Sequence, residues 1–546
     1  MKEHPWWRGA IIYQIYIRSF CDSNGDGIGD LPGVISKLDY IRSLNVDAIW
    51  LSPIHPSPDR DWGYDVSNYE GIHTDYGTQA DFDRLLTEAH ARGLKVMTDE
   101  VLAHTSDEHP WFVDSLQRGP KSDWYVWAEP KLDGTAPNNW LSAFGGPAWS
   151  YQPARREYYH HKFLRQQPKL NWRNGKARAA ALKVLEHWLT RGVDGFRLDV
   201  ANAYLHDAAL ADNPAVRMAE RTDALWSHAP YLQFHHHDSN LPENIEVLDE
   251  IRRVVERYPD RFVMGEFSED PARCGCFAAP DEGLHSGYSF PLLKARELGP
   301  GFVHLHYNLL SRFPAHWPSV AFSNHDVMRT VSRFGGPEPP EGLGKLLLAL
   351  LLSLKGTALL YQGEELALPE ADIRRDQIRD PVGDLYWPYT GGRDGCRTPM
   401  PWDAAAANLG FSTGTPWLPL SRKHQALAVS HQEGNDNSAL DFMRRFSAFR
   451  QKSAALRWGE IRFVDAPPPL LAFEREYEGD KLLCLFNMSG EATEFRDESI
   501  LEREPLGIGC GAAARRDGLL KLGPYSSWFA ALSNASSTAS MGNSTQ

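Results

Sequence analysis

Apolar positions in the first half of the chain recur in one unit: a stripe at helical spacing, a short turn, then a short apolar run that ends on a polar residue. Leu38, Ile41 and Leu44 share one helix face before Asn45, and Asp47-Ala-Ile-Trp-Leu-Ser52 follows. Thr78 is placed as a helix cap, Phe82, Leu85, Leu86 and Ala89 form the next stripe, Gly93 ends it, and Leu94 to Asp99 reads as a strand. Leu182, Leu185, Trp188 and Leu189 are stopped at Gly192 and followed by Val193 to Asp199. Ile245, Leu248, Ile251 and Val255 precede Arg261 to Glu266. Repeated units with nearly all-apolar strands predict a parallel sheet covered on both faces.

Carboxylates stand where these runs end: Asp99, Asp199, Glu266, and Asp326 after Ser319-Val-Ala-Phe-Ser-Asn-His. In a (β/α)8 TIM barrel the strand C-termini share one mouth, so such residues converge. A doubly wound sheet is the alternative, but no glycine-rich GxGxxG opens the first helix. The barrel is therefore expected, over 1–104 and 175–456. Residues 105–174, rich in Trp, Pro and Gly, exceed what a barrel loop needs and predict a small domain inserted after the third strand. A second such stretch, 367–420, predicts a long loop over the mouth. From 457 to 532 the pattern changes to alternating apolar segments punctuated by Gly and Pro, as in an antiparallel β domain, and the Ser/Asn/Thr-rich end, 533–546, reads as a disordered tail.

Composition narrows the function classes. With 57 Lys and Arg against 71 Asp and Glu, the net charge of −14 argues against nucleic-acid or anionic-membrane partners. No apolar run is long enough to span a membrane, and the start, MKEHPWWRG, has no apolar leader segment, which predicts a cytoplasmic enzyme. Six cysteines in so long a chain make neither a disulfide framework nor a paired CxxC zinc pattern. The supply of 18 Trp, 20 Tyr and 24 Phe suits core packing and also flat ligands such as sugar rings.

Asp22-Ser-Asn-Gly-Asp-Gly-Ile-Gly-Asp30 places oxygen side chains at positions 1, 3, 5 and 9 of a calcium-type loop, with Gly27 at 6 and the Ile28 carbonyl at 7. Position 12, where a bidentate Glu belongs, is Gly33. Asp22, Asn24, Asp26, Ile28 and Asp30 thus form a candidate site for one structural Ca²⁺ or Mg²⁺; a plain Asx turn is the alternative. His235-His236-His237 reads as loop, because three adjacent histidines cannot all face one ion. Arg197 stands two residues before Asp199, on the same strand face, where it would hold that carboxylate ionised. Glu266 follows an apolar strand, where burial would favour an acid's role. One ionised nucleophile and one protonated acid are what retaining glycoside hydrolysis requires.

Asp99-Glu-Val-Leu-Ala-His104, Gly195-Phe-Arg-Leu-Asp199, Gly265-Glu266 and Phe322-Ser-Asn-His-Asp326, in this order and spacing, resemble the conserved regions of the α-amylase family, glycoside hydrolase family 13. The similarity extends to Tyr13-Gln-Ile-Tyr16, the Asp22–Asp30 loop, Gly63-Tyr-Asp65, Gln167-Pro-Lys-Leu-Asn171, Tyr361-Gln-Gly-Glu-Glu365, Gly392-Arg-Asp394 and Arg397-Thr-Pro-Met400. Within the family the chain resembles the exo-acting α-glucosidase and oligo-1,6-glucosidase branch, especially transglucosylating α-glucosidases. The resemblance implies Asp199 as nucleophile, Glu266 as general acid/base and Asp326 as transition-state stabiliser. It implies that Arg197, His104 and His325 hold the sugar with support from Asp99, that Tyr64 stacks beneath it, and that Asp65 and Arg329 bind its non-reducing end and close the pocket. Ala103 replaces an amide calcium ligand of α-amylases. Lys169 stands where the 1,6 branch has Asp, whereas Val200 after the nucleophile favours α-1,6 cleavage.

The expected activity is release of glucose from maltose-like α-1,4 glucosides, with transfer to water or another hydroxyl acceptor. An oligo-1,6-glucosidase and an isomerising relative such as trehalose synthase or sucrose isomerase are the alternatives. A transporter-associated, non-catalytic barrel would lack the carboxylates, and an endo-amylase would have an open pocket. The expected partners are a saccharide and its acceptor, with the chain as monomer or homodimer and no organic cofactor.

Overall fold

Eight short strands, buried along their length except at Lys95, form the centre: β1 (Ile11–Ile15), β2 (Ala48–Leu51), β3 (Lys95–Glu100), β4 (Gly195–Leu198), β5 (Phe262–Phe267), β6 (Ser286–Ser289), β7 (Ser319–Ala321) and β8 (Thr357–Tyr361). This computed structural model describes residues 4–217, 232–268, 275, 277–279, 282–297, 299–498, 500 and 503–532. The 533–546 tail, Cys274 and Cys276 lie outside the described residues. All seven ladders are parallel, and β8 pairs with both β7 and β1, Ile11 lying beside Ala358 and Gln14 beside Tyr361. Between β6 and β7 no ladder forms among the described residues. There the Ser286 hydroxyl donates to the Trp317 carbonyl at 2.7 Å and lies 2.9 Å from the Ser319 hydroxyl. The expected (β/α)8 barrel is the architecture of the chain.

Alternation along the strands divides the apolar residues into two layers. Ile12, Ala48, Trp50, Met97, Phe262, Met264, Tyr288 and Leu359 pack inside the barrel. Ile11, Tyr13, Ile49, Val96, Phe196, Val263 and Leu360 point outward against the helices. Each such side chain removed from water is worth about 1.5–3 kcal/mol, which is why the strands tolerate so few polar residues away from their ends. The helix Gln79–Ala91 starts on a reciprocal cap, Thr78 and Asp81 each bonding the other's backbone N–H. Gly192 ends the helix Gly175–Arg191 at φ +105°, a turn that a Cβ would strain.

Three departures from the barrel matter for the site. Between β3 and β4 the chain forms the helix Pro110–Leu116 and a small antiparallel sheet in which Glu157–His160 lies between Trp127–Ala128 and Trp149–Gln152. This insertion has its own apolar cluster of Val126, Trp140, Ala148 and Trp149. After β8, the 367–420 stretch is mostly irregular, with the short helix Pro381–Tyr386. The antiparallel strands after residue 459 form a five-stranded and a three-stranded sheet, seated on the barrel partly through buried Arg475, whose guanidinium donates to the main-chain carbonyls of Ser353 and Gly459.

Candidate active site

Parallel register builds the centre of the mouth. Arg197 on β4 and Asp199, just past its end, are two residues apart; β3 sets Asp99 beside Arg197, and β6 sets Tyr288 beside Glu266 of β5. Arg197 is the hub. Its Nη1 lies 2.7 Å from Asp99 Oδ1 and 2.8 Å from Asp199 Oδ1, its Nη2 2.5 Å from Glu266 Oε1, and its Nε donates to Tyr288 Oη at 3.0 Å. The Tyr288 hydroxyl donates in turn to Glu266 at 3.0 Å. Asp199 and Glu266 thus share one guanidinium.

One cation for three carboxylates sets the protonation of this cluster. Burial raises Asp199 well above the usual carboxylate range; Arg197 opposes that shift while Glu266 and Asp99 add to it. Burial likewise holds Asp99 at about 6 against the pull of Arg197. Arg197 favours the ionised form of Asp199, as the sequence reading expects, but its charge is divided among Asp99, Asp199 and Glu266.

Asp326 lies in the opposite electrostatic setting. Burial would push it up, but His325, Arg393, Arg397 and Arg197 together hold it well below the usual range. Arg397 Nη2 and Arg393 Nη1 donate to its Oδ1 at 2.8 and 3.1 Å. Arg393 also bonds Asp380 and Asp61, each at 2.7 Å, so it ties the 367–420 stretch to the loop after β2 across the mouth. Gln167 of the insertion donates to the other oxygen of Asp61 at 3.1 Å.

Tyr64 and His325 stack face to face, with centroids 5.1 Å apart and planes within 4°. The Tyr64 hydroxyl donates to Asp99 at 3.0 Å. Gln14 Nε2 donates to His325 Nδ1 at 2.8 Å, fixing the tautomer whose Nε2–H faces Asp326. Burial lowers His325 to about 3 and His104 to about 4, so both are neutral near pH 7. His104 donates through Nε2 to the Tyr64 carbonyl at 2.9 Å and so supports the tyrosine.

Two expected site residues are elsewhere. Asp65 is fully buried in its own loop, accepting from Ser57 Oγ at 2.8 Å and from the Arg60 and Asp61 N–H groups at 3.0 Å, and it shapes the turn that presents Asp61. Arg329, only 1% exposed, donates to the carbonyls of Gln362 and Cys396 and packs over the ring of Tyr361. The acidic and basic groups at the mouth are instead Asp61, Arg393 and Arg397. The two arginines lie in motifs visible in the sequence, but only the folded loops reveal which charge faces Asp326.

The turn after Asp199 is held under strain. Val200 has φ +38° and ψ +48°, a left-handed conformation that costs a β-branched residue about 1–3 kcal/mol and persists only when its surroundings fix it. Its N–H donates to Glu266 Oε2 at 3.3 Å, linking the turn after Asp199 to Glu266.

The Asp22–Asp30 loop has the chemistry of a hard-cation site. Gly25 and Gly27 take φ of +85° and +94°, and Asp22, Asn24 and Asp26 each accept backbone N–H bonds from within the loop. Asp30 caps the following helix through Gly33 N–H. Among the described residues no lysine, arginine or histidine pairs with any of the three carboxylates. Three uncompensated carboxylates, an amide oxygen and the Ile28 carbonyl fit Ca²⁺ or Mg²⁺. Among the described residues it is Asp59, His73 and Asp75, not the three loop carboxylates, that bring ligand atoms within 4.8 Å of one another, but Arg18 already pairs with both of those carboxylates, at 2.6 and 3.6 Å. In the histidine run, His235 bonds Asp238, His236 stacks on Phe234 and His237 faces Asp207, so the three diverge as the loop reading requires.

Comparison with known proteins agrees with this geometry. Residues 14–459 match the family described as alpha amylase, catalytic domain. A probable alpha-glucosidase of Rhizobium meliloti is 47% identical over 543 residues, covering 97% of this chain and 98% of that protein. An oligo-1,6-glucosidase of Halalkalibacterium halodurans is 34% identical, covering 90% and 91%. The crystal structure of an alpha-glucosyl transfer enzyme, XgtA, superposes with a TM-score of 0.93 at 46% identity, over 97% of this chain and all of that one. A trehalulose synthase, MutB, superposes at 0.87 with 31% identity over the same shares. With its barrel, its strand-end carboxylates and a match across most of its length, the chain belongs to the α-amylase family of glycoside hydrolases.

Proposed function

We propose that this protein is a retaining, exo-acting α-glucosidase that also transfers glucosyl groups, taking glucose from the non-reducing end of maltose-like α-1,4 glucosides. The observation that carries the reading is the pair of clusters facing each other across the mouth: Arg197 with Asp99, Asp199 and Glu266, and Arg393 with Arg397, Asp61 and Asp326. Asp199 attacks the anomeric carbon while Glu266 gives its proton to the leaving oxygen, and a glucosyl ester on Asp199 forms. Glu266 then takes the proton from water or an acceptor hydroxyl, which attacks the same carbon and releases Asp199. Asp326, held ionised by two arginines, stabilises the positive charge that develops on the ring. Tyr64, stacked on His325, supplies the flat face beneath the sugar, and the Asp61–Arg393 bridge closes the far end, so that one glucose unit fits. The high likeness to a glucosyl transfer enzyme supports transfer beside hydrolysis.

A second reading, cleavage of α-1,6 links, is favoured by Val200 after the nucleophile and by the oligo-1,6-glucosidase relatives. NMR-resolved products from maltose, isomaltose and sucrose separate the two: α-glucose as first product, with maltose the preferred substrate, supports the first. Preference for isomaltose supports the second, and isomerised sucrose would move the protein toward the trehalulose synthases. The Asp22–Asp30 loop would hold one structural Ca²⁺ or Mg²⁺ far along the chain from the reacting groups, supplying charge compensation to the loop. No helix among the described residues is long and apolar enough to cross a membrane. The buried free thiols of Cys21, Cys396, Cys484 and Cys510 support a reducing compartment such as the cytoplasm.

A further inference from the structure

We propose that Lys169 is a positioning residue for the reacting pair: from the foot of the inserted domain it holds the strained turn that joins the nucleophile to the acid. Its main chain is fixed on both sides. Lys169 bridges His104 at the end of the third barrel unit, its N–H donates to the His160 carbonyl at 2.9 Å, and its carbonyl accepts from Val126 N–H at 3.2 Å. Its side chain leaves the insertion and donates through Nζ to the carbonyl of Ala203.

That carbonyl closes the short turn Ala201–Ala203, whose shape depends on the left-handed Val200. Each of its three carbonyls is held from outside: Ala201 by Asn244 Nδ2 at 2.8 Å, Asn202 by Asn240 N–H at 2.8 Å, and Ala203 by Lys169. Lys169 is the one charged tether of the three and the one that comes from the inserted domain. The Ala203 N–H bonds back to Val200 at 2.9 Å, and Val200 N–H reaches Glu266 at 3.3 Å, so the path from Lys169 to the acid is a run of hydrogen bonds through a strained residue.

The surroundings of the ammonium are unusual for a lysine. It is 1% exposed and no carboxylate pairs with it among the described residues. The charged groups facing it are Lys162 and Asp238, which pair with each other at 3.2 Å. The nearby rings of His104, His160 and His206 are all lowered by burial and carry no charge near neutrality. A buried cation with no counter-ion costs more than it returns unless a fixed dipole needs it, and the Ala203 carbonyl is that dipole. Burial, aided by Lys162, brings Lys169 down to about 7, so its charge changes near neutral pH.

The inference rests on Asp199 and Glu266 being the reacting pair, and D199N run alongside separates the two: survival of turnover there refutes that pair, whatever Lys169 does. The test measures kcat and KM for maltose from pH 5 to 10, with thermal denaturation, in wild type, Lys169→Met and Lys169→Arg. The expected result is a fall in kcat of tenfold or more in K169M with KM within threefold and no loss of thermal stability, and recovery to within about threefold in K169R. The alkaline limb of kcat should move up by at least one pH unit in K169R, whose guanidinium stays charged. If K169M does not fold, K169R and its limb decide. A K169M enzyme with kcat within twofold of wild type, or a K169R enzyme with an unmoved limb, overturns the proposal.

Discussion

Asp61 and Asp65 lie four residues apart in one loop and have opposite jobs, which makes Asp61→Asn and Asp65→Asn a sharp pair of perturbations. Asp61 bonds Arg393 at 2.7 Å and Gln167 at 3.1 Å, in the bridge proposed to close the far end of the pocket. Arg393 keeps Asp380 at 2.7 Å and Asp326 at 3.1 Å when the Asp61 charge is removed, so the fold has no buried cation left alone. What D61N loses is a charged acceptor for a sugar hydroxyl, about 1.5–3 kcal/mol, or roughly 13- to 160-fold in kcat/KM. In D65N the carboxylate that accepts three bonds becomes an amide whose NH₂ confronts N–H donors. One or two donors are left unpaired, at about 1–3 kcal/mol each, and the loss falls on stability. The assay is steady-state hydrolysis of maltose at 25 °C together with thermal denaturation of both variants. D61N should melt near wild type with a crippled kcat/KM; D65N should melt several degrees lower with kcat/KM within about threefold. Equal damage to kcat/KM in D65N with an unchanged melting temperature would refute the assignment and return Asp65 to the pocket.

Asp199→Asn should abolish turnover, and Asp326→Asn should lower kcat by about 10²–10³-fold with intact folding, read from single-turnover kinetics and circular dichroism. Because Asp99 is held at about 6, the activity profile should show an acid limb near pH 6 as the Arg197 cluster takes up a further proton, and D99N should shift that limb. The sign for stability follows: a raised carboxylate binds its proton more tightly folded than unfolded, so the Asp99 contribution to stability falls between about pH 4 and 6 and D99N flattens that part of a melting-temperature profile. Asp326, held low, contributes in the reverse sense: its share is complete above about pH 4 and is lost on further acidification, a loss that D326N should not show. Chelation with EDTA should lower the melting temperature while leaving kcat at 25 °C nearly unchanged, and Ca²⁺ or Mg²⁺ should restore it.

The parts of the site carried by regular strands were legible in the sequence, because period-two alternation and an apolar run determine where a strand ends and which way its last residues face. Arg197, Asp199, Asp99 and Glu266 are of this kind. The mouth was read less well. Asp61 and Arg393 meet across 332 positions of chain through two irregular loops, and no local pattern records which side of such a loop turns inward. Adjacency misled at Asp65, next to Tyr64, and at Arg329, three residues past Asp326: each side chain turns back into the protein. The strand β6 escaped periodicity because Ser286-Gly-Tyr-Ser289 is small and polar, and its seam with β7 is joined by hydroxyls. The sharing of Arg197 among three acids is likewise a property of register between strands, which a single sequence does not display.

The pairing of β1 with β8 has a consequence for how the protein is made. Ile11–Ile15 leaves the ribosome well before Thr357–Tyr361, the only partner for one of its two edges among the described residues. At ~5–20 residues per second the interval is about 20–70 s, during which an apolar strand edge is open to other nascent chains. Output of native enzyme should therefore depend on translation speed and on chaperone supply more than the stability of the finished barrel would suggest.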